Sequence, residues 1–438
     1  MRRTRSRALF AAAALAATLT VTACGGATPG GGGAESAGGS SADTSAWVLT
    51  GGGWPVIEQS FDSWNTAHPD QNIAVESFAN DAFKEKIRTS VGAGQAPTLI
   101  LNWTGGTLAD YVDNKQVVDI TAQTKDLTRV LPSVAQNGVV DGVTYAVPMN
   151  DVQPVVMYYN QALFDQVGIA VPQTYDELLA AVAKFKDAGI IPISIAGQSV
   201  WPELMWLQYL TDRIGGPQVF QNVLDGKPGA WSDPAITQAL TKIKELVDAG
   251  AFGDGFASVT ADQGADFALV HTGKAAMILQ GSWGYATFKN DNPDFFSKSL
   301  GFTSFPTIAG GAGDPKNIVG NPANFWSVSA SASADAQKVA TDYIDKSVYS
   351  DDVVKAMLDA GSLPPIKDLG DKIAASPDAK YLTFAYDLVQ NAPHFQLSWD
   401  QALPPQAATE LLTNLSEVFL GQNNPEQFVT AMNATLQQ

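Results

Sequence analysis

Residues 275–283 read AAMILQGSW, an apolar run that ends in a glycine, a serine and a tryptophan. A short apolar run bounded by glycine predicts a β-strand, so Trp283 follows directly on a strand end. Six further runs of this kind are predicted strands: AWVLT (46–50), IAVESF (73–78), TLILNW (98–103), VVMYYN (155–160), IPISIAG (191–197) and FWSVSA (325–330).

Predicted helices separate these strands. Thr174 and Glu177 form a capping box that begins a helix ending at Gly189. Residues 232–234, Ser-Asp-Pro, begin a second helix, and Ser350 caps a third. Strands that alternate with helices of this length are typical of the α/β class, and we expect largely parallel sheets.

The composition narrows the class of protein. The 438 residues allow two or three domains, and 45% apolar residues are typical of a chain with a sizeable core. A formal net charge of −18 disfavours binding to nucleic acid or to an anionic membrane face. Three histidines and one cysteine exclude zinc fingers, haem attachment, iron–sulfur clusters and a disulfide framework. We therefore predict no metal and no cofactor.

The N-terminus predicts export and lipidation. Residues 1–23 combine a basic start with a short apolar stretch, as a signal peptide does. They end in small residues before Cys24, which resembles the bacterial lipobox, in which the cysteine is lipidated. An ordinary secretory peptide with an incidental cysteine is the alternative. Residues 24–45 are rich in Gly, Ser and Ala and are expected to form a flexible tether.

The sequence contains no complete catalytic motif. Gly273-Lys274 resembles the end of a phosphate-binding loop, but the glycine required five positions before Gly273 is replaced by Ala268. Neither G-x-S-x-G nor H-E-x-x-H occurs. We therefore predict a binding protein and not an enzyme. A surface-tethered glycoside hydrolase stays a second hypothesis, because the separation of two catalytic carboxylates is spatial and not sequential.

Tryptophans at strand ends predict a binding site. In open α/β sheets, ligands bind outside the carboxyl ends of the strands, and an aromatic face suits the apolar face of a pyranose ring. The tryptophans so placed are Trp54, Trp103, Trp201 and Trp283, whereas Trp64 and Trp231 are assigned to the core. Nearby polar side chains are candidate partners for sugar hydroxyls: Asn80, Asp81, Asn102, Asp151, Glu203, Gln280, Asn321 and Asn324.

Longer segments resemble the family 1 extracellular solute-binding proteins of ABC transporters, the group that contains maltose-binding protein. The segments that carry the resemblance are FDSWNTAHPDQNIAVESF (61–78), FKEKIRTSVGAGQAPTLI (83–100), YAVPMNDVQPVVMYYNQALFDQVGI (145–169), HTGKAAMILQGSWGYA (271–286) and AGSLPPIKD (360–368). The resemblance implies that Trp283 stacks on a sugar and that Trp399, in LSWDQAL (397–403), is a further aromatic of the site.

The resemblance also implies a fold of two α/β lobes with a hinge and a ligand cleft between them. We expect the chain to cross between the lobes near 149–154, 306–312 and 362–366. Lobe one then consists of 46–150 and 311–362, and lobe two of 151–310 and 363–438. Closure of the hinge on a ligand is the expected output.

The ligand is expected to be a short oligosaccharide. Residues 49–69 and 101–112 are similar to those of actinobacterial lipoproteins that bind xylobiose or related β-linked sugars. We expect a monomeric receptor at the extracellular face of the cell membrane, held there only by its lipid anchor, that passes the sugar to the permease subunits of an ABC importer. A polyamine-binding protein of the same fold, using Asp81, Asp151 and Glu203, is the alternative.

Overall fold

Thirteen strands and nineteen α-helices occur in residues 44–124 and 128–436, which the computed structural model describes. The strands are β1 (Ser45–Leu49), β2 (Ala74–Phe78), β3 (Leu99–Asn102), β4 (Val139–Val140), β5 (Val143–Thr144), β6 (Val147–Pro148), β7 (Gln153–Asn160), β8 (Ile191–Ser194), β9 (Ala275–Gly281), β10 (Leu300–Thr303), β11 (Ile318–Asn321), β12 (Phe325–Val328) and β13 (Phe395–Leu397). The predicted signal peptide, Cys24 and all but the last two residues of the predicted tether lie outside the described residues.

The helices occupy most of the remaining chain. They are α1 (Trp54–Ala67), α2 (Asn80–Gly92), α3 (Gly105–Asp113), α4 (Pro132–Ala135), α5 (Gln161–Val167), α6 (Tyr175–Asp187), α7 (Trp201–Gly215), α8 (Gln218–Leu224), α9 (Pro234–Asp248), α10 (Ala265–His271), α11 (Trp283–Asp291), α12 (Pro293–Lys298), α13 (Ala334–Ser347), α14 (Asp351–Asp359), α15 (Gly370–Ala374), α16 (Ala379–Asn391), α17 (Trp399–Ala402), α18 (Pro405–Phe419) and α19 (Pro425–Thr435). Within the described ranges, no helix is long and apolar enough to cross a bilayer.

The strands and helix caps predicted from local sequence are present in the structure. All seven predicted strands are present, and every residue of β9 is buried. Thr174 and Glu177 make both hydrogen bonds of the capping box that begins α6. The side chain of Asp233 caps α9, and that of Ser350 caps α14.

The strands form two main sheets. The first has the order β2-β1-β3-β12-β6, and the second has the order β13-β11-β7-β9-β8, with β10 paired to β7. The expectation of largely parallel sheets is wrong. The strand β12 runs antiparallel to β3 and β6, and β7 runs antiparallel to β9, β10 and β11. The chain enters β7 and β12 directly from the other sheet. A helical crossover within one sheet would instead make neighbouring strands parallel.

The chain passes from the first sheet to the second between β6 and β7, and back between β11 and β12. The second passage therefore lies at residues 322–324 and not at the expected 306–312. The strand β11 still belongs to the second sheet, because Gly320 is paired with Pro154 of β7 and with Leu397 of β13.

The fold has two lobes, one built on each sheet. Helix α1 packs against the first sheet and contributes Ile57 and Phe61 to its core. Helices α6, α7, α9 and α18 cover the second sheet and form another core. Helix α7 is buried at every position from Pro202 to Arg213, so it is an interior helix, with Trp201 at its first residue left half-buried.

Candidate functional site

A cleft with a volume of about 450 Å³ lies between the two lobes. Its walls come from both sheets and from the first residues of α1, α2, α7 and α11. Eight of the predicted binding residues line it: Trp54, Asn80, Trp103, Trp201, Gln280, Trp283, Asn321 and Asn324.

Trp201 and Trp283 form an aromatic pair on the second lobe. Their ring centroids are 6.0 Å apart and the rings are tilted by 55°. Gly281 makes the position of Trp283 possible, because a Cβ at Gly281 would lie 1.9 Å from the six-membered ring. The ring of Trp283 thus lies against the end of β9, with both indoles half-buried at the cleft wall.

Trp54 and Trp103 line the cleft from the first lobe. They are more deeply set than the pair opposite, with exposed fractions of 9% and 8%. Lys84, on α2, lies between the lobes, with its Nζ 5.3 Å from the ring centroid of Trp103 and 5.5 Å from that of Trp201. Its Nζ also lies 3.9 Å from Oδ2 of Asp400. The cleft therefore contains a cation of its own, held against two aromatic faces.

Amide side chains provide hydrogen-bonding groups next to the tryptophans. Asn324 accepts hydrogen bonds at Oδ1 from Nδ2 of Asn150 (2.7 Å) and from Nε2 of Gln153 (2.8 Å). Oδ1 of Asn150 in turn accepts a hydrogen bond from the backbone N–H of Asn324 at 2.7 Å. Nδ2 of Asn324 and Oε1 of Gln153 have no partner among the described residues. The cleft wall thus offers one fixed donor and one fixed acceptor.

Gln280 is held by a buried carboxylate. Its Nε2 donates to Oδ2 of Asp266 at 3.0 Å, and its Oε1 accepts from the backbone N–H of Gly281 at 3.0 Å. Burial raises the pKa of Asp266 to about 6. Both ends of the amide are therefore engaged within the second lobe, which fixes its orientation beside Trp283.

Three predicted polar residues lie behind the cleft wall. Asn102 is buried and bonds to Ser327 Oγ (2.9 Å) and to the backbone N–H of Thr104 (3.0 Å). Asp151 is buried at the first passage between the sheets, and burial raises its pKa to about 6. Burial raises the pKa of Glu203 to about 8. The structure does not place these three side chains at the cleft surface.

Asp81 and Trp399 also lie outside the cleft lining. Asp81 accepts a hydrogen bond from Nε1 of Trp201 at 3.0 Å. Trp399 is 2% exposed and stacks on Phe220, with ring centroids 4.3 Å apart. The residues beside it, Asp400 and Gln401, line the cleft instead. Trp64 and Trp231 are buried, which confirms their assignment to the core.

Several lining residues were not predicted from the sequence. Lys84 lies one helical turn after Asn80, so helical spacing was a usable signal for it. Gln153 follows Asp151 by two residues and offered a similar local signal. Thr287, Asn290 and Asp291 follow Trp283 on α11 at helical spacing, which was a further usable signal. Ser398, Asp400 and Gln401 flank Trp399, and Asp262 and Gln263 come from a segment with no strand-end tryptophan before it. No group of three or more His, Cys, Asp or Glu able to hold a metal occurs in residues 44–124 and 128–436.

The lobes touch through their backbones beside the cleft. Gly105 and Gly106 begin α3 of the first lobe, against α17 of the second. A Cβ on Gly105 would lie 2.2 Å from the carbonyl oxygen of Gln401, and one on Gly106 would lie 2.1 Å from that of Leu403. Only glycine allows this approach.

The sequence pattern of the bacterial extracellular solute-binding proteins matches residues 54–346. The chain therefore belongs to this family. A solved structure from work on xylan utilization by the thermophilic bacterium Caldanaerobius polysaccharolyticus superimposes with a TM-score of 0.79 and 28% identity, over 90% of this chain and 99% of that one.

Two curated relatives are similar over part of their length. An uncharacterised ABC transporter extracellular-binding protein of Pyrococcus horikoshii is 26% identical over 56% of each chain. The xylose/arabinose-binding protein of Haloferax volcanii is 25% identical over 59% of this chain and 57% of its own. The matched region thus spans little more than half of these curated relatives.

Proposed function

We propose that the protein is an extracellular receptor that binds a short oligosaccharide and delivers it to an ABC importer. Xylobiose or a similar β-linked sugar is the ligand that we favour. The observation that carries the proposal is the pair of tilted indoles, Trp201 and Trp283, at the wall of an interlobe cleft that also presents amide groups. The names of the relatives, a xylose/arabinose-binding protein and a protein studied for xylan utilization, support a pentose-based sugar.

The chemistry of the cleft suits a neutral sugar. The C–H face of a pyranose packs on an indole, and its hydroxyls need both donors and acceptors around the ring edge. Asn324 and Gln153 supply one of each, with fixed orientation. Asn80 and Asn321 add amides from α2 and from the end of β11. We propose that these residues and the four lining tryptophans contact the sugar.

A cationic ligand such as a polyamine fits the cleft less well. Lys84 already places an ammonium near the faces of Trp103 and Trp201, where a polyamine nitrogen would bind. Glu203 and Asp151 are buried behind the wall and have raised pKa values, so they offer little exposed negative charge to a ligand. Of the carboxylates that line the cleft, Asp400 lies beside Lys84 and accepts a hydrogen bond from Ser398. Asp262, which also lines the cleft, accepts one from the backbone N–H of Asp81. With Lys84 at the aromatic faces, this arrangement favours sugar over polyamine.

Lobe closure and release of an unchanged sugar would complete the proposed cycle. We place the hinge at the three passages between lobes, at residues 149–152, 322–324 and near 362–366. A ligand that contacts both lobes favours the closed state by its differential affinity. The relatives are named as binding proteins, which supports a receptor and not a hydrolase.

Calorimetry and small-angle scattering with xylobiose, maltose and spermidine test this proposal. We expect xylobiose to bind, to reduce the radius of gyration and to be recovered chemically intact. Binding of spermidine alone would favour the polyamine alternative, and recovery of xylose from xylobiose would favour the hydrolase. An unchanged radius of gyration in the sugar complex would contradict closure.

Lipid attachment at Cys24 is proposed from the sequence and needs its own test. Cys24→Ala removes the only sulfur in the chain that can carry a thioether-linked lipid. We expect the variant to leave the membrane fraction while its affinity for xylobiose stays unchanged. A variant that remains in the membrane fraction would contradict attachment through Cys24.

A further inference from the structure

Asp81 joins the two lobes beside the cleft without lining it. It lies in the first turn of α2, whose buried residues Phe83 and Ile87 belong to the first-lobe core. Its Oδ1 accepts a hydrogen bond from Nε1 of Trp201, 3.0 Å away at the start of α7 in the second lobe. Its carboxylate is therefore bound to the edge of an indole that belongs to the opposite lobe.

Two further hydrogen bonds fix the position of Asp81. Its backbone N–H donates to Oδ1 of Asp262 at 2.7 Å, which is a second bond from the first lobe to the second. Nδ2 of Asn80 donates to Oδ1 of Asp81 at 3.0 Å. The oxygen that receives the indole N–H is thus already oriented by its neighbour, and the backbone beneath it is held by the opposite lobe.

The bond constrains the face that Trp201 presents. An indole on a side chain with two rotatable bonds can turn about its Cβ, and its N–H is its single hydrogen-bond donor. With that donor held by Asp81, the ring is fixed at 55° to Trp283, and both rings line the cleft. Preorganising a binding group reduces the ordering cost that ligand binding has to overcome.

We propose that Asp81 is a positioning residue for the sugar site. It acts through Trp201, whose N–H it captures when the lobes are in the arrangement described, and it thereby couples lobe closure to the orientation of the second-lobe aromatic face. This inference rests on the proposed sugar-binding function. It gives Asp81 a role different from the ligand contact that its place in the sequence predicts.

The variants separate the hydrogen bond from helix stability and from charge. Asp81→Ala removes the acceptor. Asp81→Asn keeps an acceptor oxygen and loses the charge. Trp201→Phe keeps an aromatic face and loses the N–H. Glu85→Ala, on an exposed position of the same helix, is the matched control for loss of a carboxylate from α2.

The first measurement follows the Trp201 indole both in the sugar-free protein and in the presence of xylobiose. In ¹⁵N-tryptophan spectra of the full chain, the indole signal absent from Trp201→Phe identifies Trp201. We expect Asp81→Ala to shift that signal and accelerate its hydrogen exchange, while Glu85→Ala leaves it in place. A Trp201 signal that Asp81→Ala does not move, with or without xylobiose, would overturn the proposal.

The second measurement is the rate of xylobiose dissociation. We expect Asp81→Ala to raise it about tenfold, as for loss of one charge-assisted hydrogen bond, and Asp81→Asn to restore most of the loss. Xylobiose should dissociate from the double variant Asp81→Ala/Trp201→Phe no faster than from the faster-dissociating of the two single variants, because both changes remove the same bond. Fold-changes that multiply, or no rescue by asparagine, would overturn the positioning role. If xylobiose fails to bind the unmodified chain while the indole signal responds to Asp81→Ala, the sugar assignment fails and the contact between Asp81 and Trp201 stands.

Discussion

Two pairs of tryptophans in the second lobe have nearly the same geometry and different surroundings. Trp201 and Trp283 have ring centroids 6.0 Å apart at 55°, and Trp231 and Trp399 have centroids 5.9 Å apart at 69°. The first pair is half-buried at the cleft, whereas the second is at most 2% exposed. Ring geometry alone therefore does not distinguish a binding surface from a core.

The two pairs differ in the cover that each receives, meaning the aromatic rings that pack over it. Phe220 stacks on Trp399 at 4.3 Å, and Phe428 of α19 packs edge-on against Trp231 at 6.1 Å. Within residues 44–124 and 128–436, no third aromatic ring stacks on either member of the cleft pair. A tryptophan after a strand thus belongs to the site or to the core according to whether another helix covers it.

The largest expected effect is on the core pair. Trp399→Ala should lower the free energy of unfolding by about 3–5 kcal/mol, because it leaves a cavity beside Phe220 and Trp231. Urea unfolding of the sugar-free protein measures this, with Trp283→Ala as the matched control from the cleft. A smaller loss for Trp399→Ala than for Trp283→Ala would reverse the comparison.

The next effect concerns Glu203, which lies on α7 two residues from Trp201 but is buried. Burial raises the pKa of Glu203 to about 8, above the ordinary 4.5, so the folded state holds a proton that the unfolded state has released between these pH values. This contribution to stability is present below about pH 4.5 and falls as pH rises towards about 8, by up to about 1.4 kcal/mol per unit.

Glu203→Gln removes that titration. We expect the variant to gain about 3 kcal/mol over the unmodified chain between pH 5 and pH 8, measured as the difference between their unfolding free energies. Glu177→Gln, at the exposed start of α6, is the control for a glutamate at a helix N-terminus. Parallel pH curves for the Glu203→Gln variant and the unmodified chain would show that Glu203 is ionised in the folded state.

The cleft pair should affect binding and not folding. Trp283→Ala should weaken xylobiose binding by about 1–3 kcal/mol, as truncation of a central aromatic contact does, with little change in the melting temperature of the sugar-free protein. Isothermal calorimetry and thermal unfolding give the two quantities. A loss of several kcal/mol in stability would place Trp283 in the core with Trp399.

The smallest expected effect is at Lys84. Lys84→Met keeps the length of the side chain and removes the ammonium near Trp103 and Trp201. We expect sugar affinity to change by less than about 1 kcal/mol, the scale of one partly exposed cation–π contact, while affinity for spermidine rises. Lys86→Met, on the same helix, is the control, since Lys86 lies over Trp47 and Phe78 away from the cleft. Equal spermidine affinities in both variants would remove the argument that Lys84 excludes cations.

Local patterns predicted the elements, and family resemblance predicted the two lobes. The strand AAMILQG is predictable because its first five residues are apolar and the run lies between Gly273 and Gly281, and Trp283 is predicted at the cleft because it follows that strand. Trp399 follows β13 in the same way, yet Phe220 of α8 stacks on it and Trp231 packs edge-on against it, with Phe428 of α19 packed on Trp231 in turn. That cover is a tertiary property, and no pattern near residue 399 carries it.

The predicted position of the second passage between the lobes was wrong for a related reason. Residues 306–312 contain one proline and two glycines, which are typical of a connection. Gly311 and Gly313 instead pack against the carbonyl oxygens of Arg213 and Asp212, where a Cβ would lie 2.1 Å and 1.8 Å away. The segment is thus held against the end of α7 within the second lobe. Close packing of backbone on backbone requires glycine, but a glycine in the sequence does not indicate which segment packs against it.

The contact of Gly105 and Gly106 with residues 401–403 sets a minimum width for the cleft. Backbone atoms there already touch, so the lobes cannot approach further at that point to suit a thinner ligand. A monosaccharide would leave part of the 450 Å³ to water, whereas a longer sugar replaces that water with ring contacts and hydroxyl bonds. We therefore expect the cleft to discriminate against sugars that are too small to displace this water.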